Sequence, residues 1–117
     1  MDDVSYRELF RPIIRKVMED YQSNSVVLQC GADSLSADKL GDFNMSVKGH
    51  ADCLQFLRSY NFPLIVLDGG EYTIGNVARC WCYDIVVSVG IEPDNNLPEN
   101  EFIEFFWPRL PASYCAH

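Results

Sequence analysis

Two short stretches of this 117-residue chain end in residues that could do chemistry. Val26 to Leu35 reads VVLQCGADSL: an aliphatic run stops at Gly31 and a carboxylate, Asp33, follows two residues later. Phe62 to Leu67 reads FPLIVL and is followed by Asp68-Gly69-Gly70-Glu71-Tyr72, so a phenol emerges beyond a second apolar run. In open parallel sheets ligands collect beyond the carboxyl ends of the strands. An acid placed there is a candidate metal ligand or general base. Local sequence alone favours a plainer role for Asp33 as a turn residue, since Asp and Ser both suit turns. Two successive strand–loop–helix units, however, bring Asp33 and Tyr72 to the same edge of one parallel sheet, and that convergence marks a candidate site.

The elements that must position these residues read as follows. Residues 3 to 22 carry a helical stripe of Leu9, Phe10, Ile13, Ile14, Val17, Met18 and Tyr21, suited to packing on a sheet. Ser5 and Glu8 suit a capping box, and Pro12 predicts a kink or a late start near Arg11. Both apolar runs have the pattern of strands covered on both faces. The polar stretch Gly31 to Asn44 is long for a connection in a compact domain, and long loops are enriched in function. Ser46 caps a helix reaching about Tyr60, with Val47, Ala51, Leu54 and Leu57 as its apolar line and His50 beside it as a hydrogen-bonded structural residue. Thr73 suits the cap of a third helix whose apolar face is Ile74, Val77, Ala78, Trp81, Ile85 and Val89, with Gly90 as its stop. The tail, Ile91 to His117, carries an acidic–aromatic patch (Glu101, Phe102, Glu104, Phe105, Phe106, Trp107) whose aromatics are expected to dock on the domain.

Composition bounds the function. Hydrophobic residues make up 48% and charged residues 22%, a globular balance in one domain at most. A net charge of −8 argues against direct binding of nucleic acid or anionic membrane, which needs Lys and Arg to neutralise phosphates. Five cysteines and no N-terminal apolar segment predict free thiols in a reducing, intracellular compartment. Cys80 and Cys82 sit on a helix at i and i+2 and face different directions, which disfavours a zinc clip. No stretch approaches the roughly 18 apolar residues needed to span a bilayer.

Taken together, LQCGADSLSADKLGDFNMSVKGHADC and GGEYTIGNVARCWCY resemble the C-terminal part of class I zinc-dependent histone deacetylases, with the C-W-C-Y wording nearest to plant members. The resemblance runs from about Phe10 to Phe106 and implies a truncated paralogue. Residues 1–117 would form a single partial domain, the C-terminal third of the family domain, in a partial three-layer α/β/α arginase/deacetylase fold with two parallel strands and flanking helices. By resemblance Asp33 is one of the aspartate ligands of the catalytic zinc, and Tyr72 donates its hydroxyl to the acetyl-lysine carbonyl. Leu40 lies at the rim of the acyl-lysine tunnel, and Gly69 and Gly70 belong to the glycine-rich loop that lets backbone approach the substrate. Lys39 is the remnant of a phosphate site: it and Gly75 replace arginines that help bind inositol phosphate at a corepressor interface. Lys loses the bidentate fork, and glycine loses the charge. Glu71 stands in the family's glycine run, where a Cβ narrows the backbone choices and a carboxylate meets the tunnel wall.

The resemblance also implies what is absent from the sequence. The family's D-x-H metal motif and paired histidines have no counterpart; the chain holds only His50 and His117. A catalytic zinc needs three protein ligands and an open position, and Asp33 supplies one. The expectation is therefore a deacetylase-like protein whose family reaction is hydrolysis of acetyl-lysine on core histones, inactive alone and holding no zinc by itself. The alternative is a binding partner that modulates full-length deacetylases or corepressor subunits; a third reading makes the chain active only when an upstream fragment complements it. Histone tails and a nuclear location, with the cytoplasm as a second place, follow from the family alone.

Overall fold

A computed structural model of the chain describes residues 1–70, 72–92, 99 and 101–102. It has α1 (Asp3–Tyr21), β1 (Val26–Gly31), a 3-10 turn (Ala32–Ser34), α2 (Val47–Arg58), β2 (Leu64–Gly69) and α3 (Ile74–Ser88). The α/β class with two parallel strands is the one expected. The strands pair in register from Val26↔Leu64 to Gly31↔Gly69, so their carboxyl ends are level. β2 starts at Leu64, two residues later than the apolar run suggests. Pro63 has no N–H to offer a ladder, and its carbonyl instead accepts from the Val26 N–H at 2.9 Å.

Neither strand is covered on both faces, contrary to the reading of their apolar runs. Val26, Leu28 and Cys30 alternate inward, while Val27 is 62% exposed and Ile65 57% exposed on the other face. A continuous apolar run does not say how many layers a chain supplies. α1 differs too: none of its residues is buried, and Leu9, Ile13 and Val17 lie in solvent rather than against the sheet. The helix is held to α2 instead. Arg11 pairs with Asp52 at 2.7 Å and lies over the Phe56 ring, which also meets Phe10 edge-on. Asp2, not Ser5, caps α1, accepting the Ser5 N–H at 2.9 Å, because an acid one turn earlier reaches the open N–H groups first. α1 runs through Pro12 without ending or starting late. The single bond lost there is tolerated within a 19-residue helix.

α2 starts where expected. Ser46 Oγ accepts the Gly49 N–H at 3.0 Å, and Ser46 is itself gripped by Asp3 through its N–H (2.7 Å) and its hydroxyl (2.5 Å). A Cβ on Gly49 would collide with the Asp3 carboxylate, so glycine there lets the start of α1 close on the start of α2. Ser46→Ala removes the cap and half of the Asp3 grip. Its expected cost is about 1–2 kcal/mol in urea unfolding; a loss below about 0.3 kcal/mol would show that the Asp3–Ser46 contact holds nothing together.

α3 ends as expected. Gly90 adopts φ +83°, its N–H donates to the Val87 carbonyl at 3.0 Å and the Ile91 N–H to Val86 at 3.1 Å, a Schellman ending. Its start and its rotation differ from expectation. The Thr73 hydroxyl donates to the Ala37 carbonyl at 3.3 Å instead of capping. The buried side is Val77, Arg79, Cys80 and Asp84, whereas Ile74 (82%), Ile85 and Val89 are exposed. Asp84 faces His50 on α2, and burying that polar pair turns the rest of the helix with it. The stretch between β1 and α2 is also less loop-like than its polarity suggests. Leu35 bridges Met45, and both are buried. Ala32, Leu35, Val47 and Cys80 form the core cluster, with Trp81 and Tyr83 against it. Phe102 is exposed; the remaining aromatics of the tail patch, Phe105, Phe106 and Trp107, lie outside the described residues.

Candidate active site

The level ends of β1 and β2 put the two chemistry-bearing stretches side by side. The 3-10 turn after β1 carries Asp33, whose N–H donates to the Gly70 carbonyl at 2.9 Å and ties one strand end to the other. A Cβ on Gly70 would collide with the Asp33 carboxylate, and one on Gly41 with the Asp33 carbonyl oxygen. Gly70 therefore makes room for the acid itself. Gly69 gives its space to the Gln29 side chain on β1.

Asp38, which sequence reading passed over, joins the loop carrying Leu40 to Tyr72. Its Oδ1 accepts the N–H groups of Leu40 (2.9 Å) and Gly41 (3.0 Å), and its Oδ2 accepts the Tyr72 N–H at 3.0 Å. Desolvation would raise its pKa, but these three N–H groups and the Lys39 charge outweigh it and hold the carboxyl below its ordinary value. The signal was present as Asp38-Lys39-Leu40-Gly41, a turn spacing in which Asp bonds backbone two and three residues on. The Asn76 amide donates to the Ser36 carbonyl at 3.4 Å, a further stitch between α3 and this loop.

Of the residues singled out from sequence, Asp33, Gly69 and Gly70 are brought together and Tyr72 follows on the same edge, its side 46% exposed. Leu40 (70% exposed) and Lys39 stand on the outer side of the neighbouring loop. Among the described residues nothing lies within 4 Å of a Cβ built on Gly75, so this position faces open space. Glu71 lies outside the described residues. Among the described residues Asp33 belongs to no group of three metal-ligating side chains. Among the described residues this edge thus gathers no three ligands around Asp33, where a catalytic zinc takes three, and by itself it does not fit that ion.

A cavity of about 280 Å3 opens behind the strand ends, lined by Tyr6, Phe10, Cys30, Asp33, His50 and Cys53 among others. Burial first, and then nearby carboxylates, push the Cys30 and Cys53 thiols up to about 12, so both stay protonated and are poor nucleophiles. A larger space of about 490 Å3 lies between α2 and the end of α3, lined by Lys48, Arg58 and Tyr83, and contains none of the strand-end residues.

His50 is hydrogen-bonded at both ring nitrogens, as a structural histidine should be. Nδ1 meets Asp84 Oδ2 at 3.1 Å and Nε2 meets the Gly31 carbonyl at 3.3 Å, bolting α2 and α3 to the end of β1. Burial lowers its pKa, but the hydrogen bond and charge of Asp84, the Gly31 carbonyl and the Asp33 charge outweigh that and raise it. A raised folded value means that this stability is complete below the ordinary pKa of about 6.5 and is lost as pH rises through the folded value. Urea unfolding at several pH values is expected to show this decline on the alkaline side, and Asp84→Asn is expected to flatten it. An unchanged slope in Asp84→Asn would place the effect elsewhere.

The sequence profile of the histone deacetylase domain matches residues 1–87. The chain is 72% identical over 108 residues to Histone deacetylase 6 of Arabidopsis thaliana, covering 92% of this chain and 23% of that protein. It is 60% identical over 116 residues to Histone deacetylase 3 of Oryza sativa subsp. japonica, covering 99% and 23% respectively. Against Probable histone deacetylase 1-A of Xenopus laevis it is 54% identical over 108 residues, covering 92% and 22%. The chain thus spans a little under a quarter of the length of these relatives.

Proposed function

This chain belongs to the histone deacetylase family, and from that premise we propose that it carries the C-terminal share of a deacetylase site and is inactive on its own. In this reading Asp33 is one ligand of a zinc whose other ligands lie in deacetylase sequence outside this chain, and Tyr72 donates its hydroxyl to the acetyl-lysine carbonyl. The reaction is hydrolysis of acetyl-lysine on histone tails in the nucleus, in the service of transcriptional repression. Zinc would polarise the amide and activate water. This chain's contribution is to hold Asp33 rigidly against Gly70 and to hang Tyr72 from Asp38. The observation that carries the reading is the juxtaposition of Asp33 with Gly70 and Tyr72 at level strand ends, where the described residues form no three-ligand group around Asp33. Purified chain with added zinc is expected to leave an acetylated histone peptide intact. Turnover that disappears in Asp33→Ala or Tyr72→Phe would overturn the claim of inactivity.

A second reading, a non-catalytic modulator of full-length deacetylases or their corepressor complexes, draws on the bare faces. Val27, Ile65 and Leu67 on one side of the sheet, and Leu9, Ile13 and Val17 on α1, expose apolar surface. The pair β1–β2 also has an unpaired edge on each side, and such edges recruit strands. Lys39 and Gly75 retain too little charge for tight inositol phosphate binding, which favours a contact through the apolar faces over one through phosphate.

A further inference from the structure

We propose that His50, Cys80 and Asp84 form a metal-binding site for a zinc-like divalent cation, separate from the strand-end position of Asp33. The three side chains come from α2 and α3, are all buried, and offer ligand atoms within 4.8 Å of one another. His50 Nδ1 lies 3.1 Å from Asp84 Oδ2 and 3.5 Å from Cys80 Sγ, and Cys80 Sγ lies 3.8 Å from Asp84 Oδ2. Zinc bonds of about 2.0–2.3 Å at tetrahedral angles put donor atoms about 3.3–3.6 Å apart. The triangle therefore closes around an ion with shifts of a few tenths of an ångström. Asp84 Oδ1, 3.4 Å from Nδ1, supplies a fourth donor if the carboxylate binds through both oxygens.

A second, independent feature points the same way. His50 Nε2 meets the Gly31 carbonyl at 3.3 Å, and a carbonyl there requires Nε2 to carry a proton. Metal-ligating histidines characteristically donate their other ring N–H to a carbonyl or carboxylate, which fixes the ring and aims the free nitrogen at the ion. Here that nitrogen is Nδ1, directed at Cys80 and Asp84. Charge also balances: a thiolate, a carboxylate and a neutral imidazole neutralise a dication in a buried place. Binding releases the Cys80 thiol proton and the proton held between His50 and Asp84 to solvent, so occupancy rises with pH.

The test is titration of the full chain, reduced, with Co2+ and then Zn2+, followed by absorption. A single Co2+ per chain with a thiolate-to-cobalt band, displaced by Zn2+, is expected. Cys80→Ser should remove the band, and His50→Ala or Asp84→Asn should weaken binding by at least about 10–100-fold. Asp33→Asn, Cys82→Ser and Cys115→Ser should leave it unchanged, which separates this site from the strand-end reading and from the other thiols. Each variant is checked by circular dichroism, and Asp84→Asn, close in shape to the native side chain, carries the test if Cys80→Ser does not fold. No thiolate band in the native chain, a band that survives Cys80→Ser, or one abolished by Asp33→Asn would each overturn the site.

Discussion

Asp33→Ala is expected to reduce acetyl-lysine hydrolysis to background when this chain is co-expressed with the preceding part of a deacetylase domain. Tyr72→Phe in the same complex is expected to lower turnover by about 10^2–10^3, the scale of one lost oxyanion donor. The two substitutions act on different quantities. On the proposed role, removing Asp33 takes a charged ligand from the metal, so metal content and activity should fall together. On the proposed role of Tyr72, removing its hydroxyl leaves the metal in place and takes away a donor that matters most where charge develops, so kcat should fall with metal content intact. Gly70→Ala should resemble Asp33→Ala, because the added methyl occupies the space of the Asp33 carboxylate. Should the complex hydrolyse peptide equally well with Asp33→Ala, the proposed role of the strand-end aspartate is wrong, whatever the His50 cluster binds.

Leu54→Ala and Leu35→Ala should abolish cooperative folding of the isolated chain. Both side chains are fully buried, and Leu35 belongs to the core cluster. Truncations of this kind cost about 2.7–5.0 kcal/mol once the cavity is included. Natural domains have only about 5–15 kcal/mol in hand, and the described residues leave one face of the sheet exposed, which places this chain low in that range. The contrast is Ile65→Ala and Val17→Ala, at apolar residues about half exposed to solvent, expected to change stability by no more than about 0.5 kcal/mol. Loss of the circular dichroism transition in the first pair and its retention in the second is the expected result. If the first pair melts normally, the core lies elsewhere than Leu35 and Leu54.

That contrast also separates what could be read from the sequence from what could not. Helix and strand periods, the Ser46 cap and the Gly90 stop are set within a few residues, and each was legible because local geometry and local chemistry agree there. The family was legible for a related reason: a long run of specific residue types, from Leu28 to Cys53 and again from Gly69 to Tyr83, is independent of how the chain packs. Asp33 and Tyr72 could be placed at one edge because parallel strands must begin and end on the same sides.

Tertiary structure alone decided which way the elements face. The apolar stripe of α3 was visible, yet burial follows Cys80 and Asp84, because His50, more than 30 residues earlier, requires a buried partner. α1 was amphipathic on paper and lies on α2 through Arg11 and Phe10, since the stripe Leu9–Ile13–Val17 finds no described surface to cover it. Gly70 also leaves space for Asp33, a contact between residues 37 apart in the chain that no local pattern announces. Periodicity reports how often a side chain returns to one side of its own element. Which side is buried depends on what approaches from elsewhere, and no local pattern encodes that.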